Sequence, residues 1–172
     1  MSNAITLFSS ARRNGNTGTL IDIVAKKSEM EVVDLDQLKI SPFDYKNKNK
    51  DDDFLPLIEK VLNYQHIIFS SPVYWYAVTP AMKAFLDRIS DLLIFPELLD
   101  MGRQLRGKTG HIVTTSVDKE LSPVFSGAFE TTFNYLGIKN GAVLHVDCSM
   151  GLDLEQNQQK IILFANGLLK EI

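Results

Sequence analysis

The chain has 172 residues, of which 45% are hydrophobic and 23% charged, a composition typical of a globular protein with a sizeable core. Its net charge of −3 indicates no basic surface for nucleic acid, and a lone cysteine, Cys148, excludes a disulfide framework or a cysteine-based metal site within the chain. No apolar run approaches the roughly 20 residues that span a bilayer, and no secretory leader is visible, so we expect one cytoplasmic domain, residues 1–172, with no nucleic-acid or membrane partner.

Five short apolar runs, rich in isoleucine and valine, recur along the chain and predict β-strands. They are Ala4 to Phe8, Glu31 to Leu35, His66 to Ser70, Gly110 to Thr115 and Ala142 to Val146. The first, third and fourth runs are almost continuous in apolar character, which is typical of strands that are buried on both faces of a parallel sheet.

Helical patterns follow these runs. The first predicted helix spans Thr17 to Lys27, the second begins near Phe54, and the last runs from about Asp153 to Leu169. The third starts at Thr79-Pro80 and the fourth at Ser122-Pro123, where a capping side chain precedes a proline at the first helical position. The residues predicted to face inward from the second to the last helix are Phe54, Leu57, Ile58, Val61, Leu62, Met82, Phe85, Leu86, Ile89, Leu93, Phe125, Phe129, Phe133, Leu136, Ile161, Ile162, Ala165, Leu168 and Leu169. This strand–helix alternation predicts an α/β fold of three layers, a doubly wound five-stranded parallel sheet with helices on both faces.

A polar loop, SSARRNGNT at residues 9–17, directly follows the first predicted strand. In doubly wound sheets, ligands bind beyond the carboxyl ends of the strands, and the unpaired N–H groups at the start of the following helix attract anions. The candidate phosphate-binding residues are Ser9, Ser10, Arg12, Gly15, Asn16 and Thr17. An Asn14-Gly15 hairpin turn is one alternative, but it requires a second strand directly afterwards, and the segment from Thr17 to Lys27 is too long and too charged on one face for that. A merely solvated loop is the other alternative.

The usual phosphate motifs, G-x-G-x-x-G and G-x-x-x-x-G-K-[ST], are missing from this chain. Instead, two segments resemble the NADPH-dependent FMN reductase family of flavodoxin-like flavoproteins. The first loop matches the family pattern G-S-x-R-x-x-G-N-T at Ser10, Arg12, Gly15, Asn16 and Thr17, with Ser9 at the opening glycine. Residues 70–88, SSPVYWYAVTPAMKAFLDR, resemble the family's second flavin segment, S-P-x-Y-W followed by a helix with K-x-F-x-D-R.

This resemblance implies a flavodoxin-like strand order of 2-1-3-4-5, FMN as cofactor and NAD(P)H as co-substrate. The ring-binding residues that it implies are Pro72, Val73, Tyr74, Trp75 and Tyr76. The loop after the fourth strand lacks the Gly-Gly pair that is common in the family, but Thr115, Ser116 and Val117 can offer backbone donors to the polar edge of the ring. Three consecutive aromatic residues can wall a flat tricyclic ring, although they could instead close the end of the sheet over the core. No catalytic side chain is expected, because a flavin carries the redox chemistry itself.

The predicted function is therefore that of an FMN-dependent NAD(P)H oxidoreductase whose small-molecule acceptor is a quinone, a nitro or azo compound, or free flavin. A flavodoxin-type electron carrier without reductase activity is the alternative, and the small net charge disfavours it. A receiver-like signalling domain is disfavoured too, because it needs an acidic cluster where this chain has arginines.

The remaining candidate residues are interpreted as structural. Iron–sulfur chemistry is excluded because the segment before the second helix lacks cysteines, and we expect Cys148 to be a core thiol. His66, His111 and His145 show no metal-ligand spacing, and residues 118–120 are interpreted as a solvated charge cluster. The resemblance also implies that residues 94–107, which contain the apolar Leu98, Leu99 and Met101, build a homodimer or a dimer of dimers.

Overall fold

A computed structural model describes residues 3–170. Its sheet consists of β1 (Ala4–Phe8), β2 (Glu31–Asp34), β3 (His66–Ser70), β4 (Thr109–Ser116) and β5 (Lys139–Asp147). All pairings are parallel and the spatial order is β2-β1-β3-β4-β5, so the predicted fold class and strand order are confirmed. The reversal of winding direction between β1 and β3 is where such sheets bind ligands.

Helices cover both faces of this sheet. They are α1 (Asn16–Ser28), α2 (Phe54–Val61), α3 (Pro80–Arg88), α4 (Asp91–Ile94), α5 (Leu99–Arg103), α6 (Pro123–Leu136) and α7 (Leu154–Lys170), with short 3₁₀ turns at Leu35–Gln37 and Pro96–Leu98. One hydrophobic cluster joins the sheet to α2, α3 and α6, and a second joins it to α1 and α7. The three-layer arrangement follows from these two separate cores.

The third predicted helix differs from the observed one. Its inward residues were expected to continue to Leu93, but α3 ends at Arg88 and a separate turn, α4, follows. The break rotates the chain, so that Leu92 is fully buried while Leu93 is 41% exposed. The prediction for Leu93 is therefore wrong, because a single helical period cannot be extended across a break in the helix.

Two smaller differences concern the ends of elements. Leu35, predicted as the last residue of the second strand, begins a 3₁₀ turn because the Asp34 carboxylate accepts a hydrogen bond from the Asp36 N–H. In α7, Leu169 is 40% exposed and Phe164 is buried instead. Both errors lie near the ends of elements, where the local hydrophobic periodicity is ambiguous and tertiary packing decides which residues belong to the element and which are buried.

Backbone pairing continues past the strands into the loops that follow them. The Ser9 N–H donates to the Ser70 carbonyl at 2.9 Å, the Val73 N–H donates to the Thr115 carbonyl at 3.1 Å, and the Cys148 N–H donates to the Ser116 carbonyl at 2.7 Å. These bonds hold the loops after β1, β3, β4 and β5 side by side at the carboxyl edge of the sheet.

Candidate functional site

A cavity of about 400 Å³ opens at this carboxyl edge. It is lined by Ser10, Arg12, Gly15, Asn16, Thr17, Pro72, Val73, Tyr74, Trp75, Tyr76, Thr115, Ser116, Val117, Asp118 and Cys148. The structure thus brings together every residue predicted for the site except Ser9. Four loops that are far apart in sequence contribute to one hollow, as expected for the edge of a parallel sheet.

The start of α1 is open towards a ligand. Gly15 is its N-cap residue in extended backbone, no side chain among the described residues caps the helix, and the first turn carries no acidic residue. By contrast, the side chains of Thr79 and Ser122 cap α3 and α6. The first N–H groups of α1 are therefore available to an anion, and the positive end of the helix dipole favours one. Since a helix follows directly, the hairpin alternative for Asn14-Gly15 does not apply.

The two arginines of the first loop have different environments. Arg13 makes an ion pair with Asp22 at 2.6 Å, and its guanidinium carbon lies 4.8 Å from the centre of the Phe8 ring. The side chain of Arg12 has no hydrogen-bond or ion-pair partner among residues 3–170, and it lines the cavity. An unpaired guanidinium at a cavity wall can bind a phosphate through charge-assisted hydrogen bonds.

Ser9 lies beneath the cavity and not in its wall. It is fully buried, and its hydroxyl is hydrogen-bonded to that of Thr79, the residue that caps α3. The Thr79 N–H in turn donates to the Ser71 hydroxyl at 3.1 Å, and Thr114 donates to the Ser71 carbonyl at 2.6 Å. This buried network fixes the first and third loops relative to each other, which preorganises the hollow above it.

A second link joins α1 to β4. The hydroxyl oxygens of Thr17 and Thr115 lie 2.7 Å apart in the interior. Cys148 lies beside this pair, and Asn16 and Thr115 are close enough to hydrogen-bond to its thiol. Burial, and secondarily the charge of Asp147, raises the pKa of the Cys148 thiol, so the thiol is protonated near neutral pH.

The aromatic loop after β3 makes a tight turn. Tyr74 and Ala77 exchange two backbone hydrogen bonds, of 2.9 and 3.0 Å, around Trp75 and Tyr76. Both central residues have positive φ, 50° and 63°, as in a type I′ turn, where glycine or asparagine is usual. Trp75 is 95% exposed, so its side chain does not close the sheet over the core. A strained turn that presents an exposed tryptophan at a cavity rim is typical of a ligand-binding site.

Two lining residues were not predicted as part of the site. Asp118 was interpreted as one of a solvated cluster, and Cys148 as a core thiol; both line the cavity, although Cys148 is also only 8% exposed. The position of Cys148, two residues after the end of the last predicted strand, was the sequence signal that could have identified it. Residues after successive parallel strands meet at one edge of the sheet.

The cavity fits a phosphate-bearing flavin in its donor set. The uncapped start of α1 and the Arg12 guanidinium suit a phosphate, whereas the turn at Trp75 and the loop after β4 supply flat apolar surface and backbone groups for a ring. Fold and site together define a flavodoxin-like nucleotide-binding protein. The model of the NADPH-dependent FMN reductase family matches residues 3–141, and the chain belongs to this family. The predicted resemblance, FMN as cofactor and the class of NAD(P)H-dependent oxidoreductase are thereby confirmed.

Individual relatives agree with this assignment. Over 138 residues the chain is 26% identical to YwqN of Bacillus subtilis (strain 168), named as an NAD(P)H-dependent FMN-containing oxidoreductase, with 74% of this chain and 75% of that protein covered. Among solved structures, a Trp repressor binding protein from Bacillus subtilis superimposes with a TM-score of 0.73 at 21% identity, covering 95% and 96% of the two chains. An FMN-dependent NADH-azoreductase from Bacillus anthracis str. Ames Ancestor, in complex with FMN, gives 0.70 at 10% identity, covering 97% and 98%. These structural matches support the fold.

The described part of the chain holds neither a candidate metal-binding cluster nor a candidate membrane span. Across residues 3–170 there is no cluster of three or more His, Cys, Asp or Glu side chains that could hold a metal ion. No helix in the same range has the length and apolar character needed to cross a membrane.

Proposed function

We propose that the cavity at the carboxyl edge of the sheet is the FMN site. Arg12, Ser10 and the N–H groups at the start of α1 would hold the phosphate, and Asn16 and Thr17 would add polar contacts. Pro72, Val73 and the aromatic turn at Tyr74, Trp75 and Tyr76 would bound the ring, with Thr115 and Ser116 at its polar edge. The observation that carries this proposal is that an uncapped helix start and an unpaired guanidinium line the same hollow as an exposed aromatic turn.

The chain supplies binding and orientation more than acid–base chemistry. When bound, FMN accepts hydride from NAD(P)H and passes reducing equivalents to an acceptor. Asp118 and Cys148 also line the cavity near the ring-binding loops, and the Cys148 thiol is protonated at neutral pH. We propose a quinone, a nitro or azo compound, or free flavin as the acceptor, because each is small enough to enter an open cavity.

A flavodoxin-type electron carrier without reductase activity is the other function that this fold allows. It would dock on a partner protein through a strongly charged face, whereas the chain has a net charge of only −3. An open cavity of about 400 Å³ beside an exposed tryptophan favours access by small molecules. We therefore propose the reductase.

The absorption spectrum of the purified protein under nitrogen, with FMN added if necessary, tests this proposal. We expect a yellow protein whose visible band is bleached by reduced nicotinamide nucleotide and restored by a quinone. A protein that fails to take up FMN would contradict the proposed site. A yellow protein that neither NADH nor NADPH bleaches would instead support the electron carrier.

We also propose a homodimer, which would form through a surface other than the one expected from the sequence. Leu98 and Met101 are half-buried against the protein's own core. Apolar side chains on the α3–α6 side of the sheet include Leu93, Val124 and Tyr135, which are 41%, 66% and 79% exposed, and Ile94 of the expected segment is 45% exposed. Sedimentation at micromolar concentration checks this, and Tyr135→Glu should shift the protein towards the monomer. The cytoplasmic location expected from the sequence is likewise proposed, and cell fractionation checks it.

A further inference from the structure

A hydroxyl–imidazole pair lies in the wall between the proposed FMN cavity and a second cavity. The second cavity has a volume of about 410 Å³ and lies along β5 and α7. Ser116, the last residue of β4, lines the FMN cavity, and His145 of β5 lines the second one. The Ser116 hydroxyl oxygen lies 2.8 Å from His145 Nε2, which is a hydrogen-bonding distance. The pair therefore connects the two cavities through their shared wall.

The hydrogen bonds of this pair leave a path for a proton. The Ser116 hydroxyl accepts the Asp118 N–H at 3.2 Å, and its distance to the Asp118 carbonyl, 3.3 Å, is longer than its distance to the imidazole. The other ring nitrogen of His145, Nδ1, has no hydrogen-bond partner among residues 3–170 and is not fully buried. Solvent in the second cavity can therefore exchange protons with Nδ1, while Nε2 faces the serine.

The imidazole of His145 is neutral near neutral pH. Burial, and secondarily the charge of Lys160, lowers the pKa of His145, whereas Asp147 and Asp118 oppose this shift. The other charged side chains that line the second cavity are Lys119 and Asp153. A neutral imidazole has one nitrogen that donates and one that accepts, so it can take a proton at one side of the ring and release one at the other.

The proposed reaction consumes a proton that the nicotinamide does not supply. For a quinone acceptor, NAD(P)H, one proton and the quinone give NAD(P)⁺ and the hydroquinone. The nicotinamide provides two electrons and one proton as a hydride, so the second proton of the hydroquinone comes from solvent. A ring-shaped acceptor that enters the FMN cavity displaces water from it. A route through the wall can then supply this proton while the opening is occupied.

We propose that Ser116 and His145 form a proton relay from the second cavity to the acceptor in the FMN cavity. The O–H bond of Ser116 breaks as an O–H bond forms on the acceptor, and Ser116 takes a proton from His145 Nε2. A solvent acid protonates Nδ1, and exchange with solvent restores the starting tautomer. This inference rests on the proposed function, because it assigns the path of a proton that only reduction of the acceptor consumes.

Stopped-flow measurement of the two half-reactions, at saturating FMN, tests the relay. Bleaching of the visible band by NAD(P)H needs no proton from solvent, whereas its return with duroquinone consumes one. In His145→Gln and Ser116→Ala the return should slow about 100-fold, as for the loss of general acid–base catalysis, and the bleaching much less. Ser116→Thr keeps the hydroxyl and should recover most of the rate. Gln156→Ala changes another side chain of the second cavity and serves as the control.

Nitrogen NMR of the His145 ring provides a readout without turnover. Duroquinone added to the oxidised, FMN-loaded protein cannot react, because no electrons are available. It should nevertheless shift the Nε2 resonance, since the acceptor contacts the hydroxyl to which Nε2 is bonded. The shift should persist in Ser116→Thr and disappear in Ser116→Ala. Lys160→Gln should raise the pKa of His145, which identifies the resonance.

The outcomes separate the relay from the function on which it rests. A protein that takes up no FMN, or that NAD(P)H does not bleach, would overturn both. Normal bleaching with an unchanged rate of return in His145→Gln and Ser116→Ala would overturn the relay alone, and so would equal slowing of both half-reactions. If His145→Gln does not fold, the comparison of Ser116→Ala with Ser116→Thr decides the question.

Discussion

Arg12 and Arg13 are neighbours in sequence with opposite roles in the structure. Arg13 is held by Asp22 at 2.6 Å and lies over the Phe8 ring, whereas the guanidinium of Arg12 is unpaired within the described residues and lines the cavity. The first loop thus uses one arginine to fasten itself to α1 and leaves the other available to a ligand.

The first expected outcome follows from this difference. Arg12→Ala should weaken FMN binding by about 1.5 to 3 kcal/mol, because a hydrogen bond to a charged group is lost. Arg13→Ala removes the same charge one residue away, and we expect it to change FMN affinity much less. Fluorescence titration of FMN measures both dissociation constants. An unchanged constant for Arg12→Ala would place the phosphate elsewhere.

The single cysteine provides an independent probe of the cavity. Cys148 lines it beside Asn16 and Thr115, so bound FMN should shield the thiol from alkylation. At an FMN concentration of 100 times Kd, about 1% of the protein is free and the rate of modification should fall about 100-fold. Mass spectrometry after treatment with iodoacetamide follows the reaction. Riboflavin, which lacks the phosphate, should protect less at equal concentration; equal rates with and without FMN would contradict the site.

The conformation of the aromatic turn should lower the stability of the protein, while its side chains contribute to FMN binding. Trp75 is 95% exposed at a φ of 50°, a conformation that costs roughly 1–2 kcal/mol for a residue with a Cβ. Trp75→Gly should therefore raise the free energy of unfolding of the FMN-free protein by up to about 1 kcal/mol, after the entropic cost of glycine. Trp75→Ala keeps the strain and should give no such gain. Both variants should lose FMN affinity, and urea unfolding with FMN titration distinguishes the two effects.

The buried ion-pair cluster around Arg88 should contribute strongly to stability. Arg88 is fully buried, and its guanidinium binds Asp52 at 2.6 Å and Asp91 at 2.7 Å, which anchors the loop before α2. Arg88→Met leaves two buried carboxylates uncompensated and should cost about 3–5 kcal/mol of unfolding free energy.

Lys83→Met is the matched control for this change. It breaks the exposed Lys83–Asp87 pair on the same helix, and we expect it to cost no more than about 0.5 kcal/mol. Denaturant unfolding of both variants makes the comparison. Similar losses of unfolding free energy in the two variants would show that the burial of the Arg88 ion pairs does not cause the destabilisation.

Acid should destabilise the protein through His111. Its Nδ1 accepts the Ala142 N–H at 3.0 Å, at the irregularity in the β4–β5 pairing, and burial, with His66 adding, lowers the pKa of His111 to about 4. In the unfolded chain that pKa is about 6.5, so between pH 6.5 and 4 the unfolded chain binds a proton that the folded protein does not, and the free energy of unfolding falls by about 3 kcal/mol. Unfolding measured across this range should show a shallower loss in His111→Gln. An unchanged slope would assign the acid sensitivity to other groups.

Some parts of the fold could be predicted because their signals are local. A few neighbouring residues encode each of the five strands, the two helix starts at Thr79-Pro80 and Ser122-Pro123, and the loop at residues 9–17. The third helix was predicted too long, and Leu93 was assigned to the wrong side, because a helix break depends on what packs against the segment.

The sequence by itself determined that helices cover both faces of a parallel sheet, which loops form the site, and most of the residues that line the cavity. Each of these predictions rests on hydrophobic periodicity, helix capping or one of the two family motifs, which are all properties of short segments. Only the tertiary structure decided that Ser9 supports Thr79 from below, that Cys148 and Asp118 join the cavity wall, and that Arg12 rather than Arg13 is unpaired. Those outcomes depend on contacts between residues up to about 140 positions apart, whose geometry exists only once the strands have been aligned in the sheet.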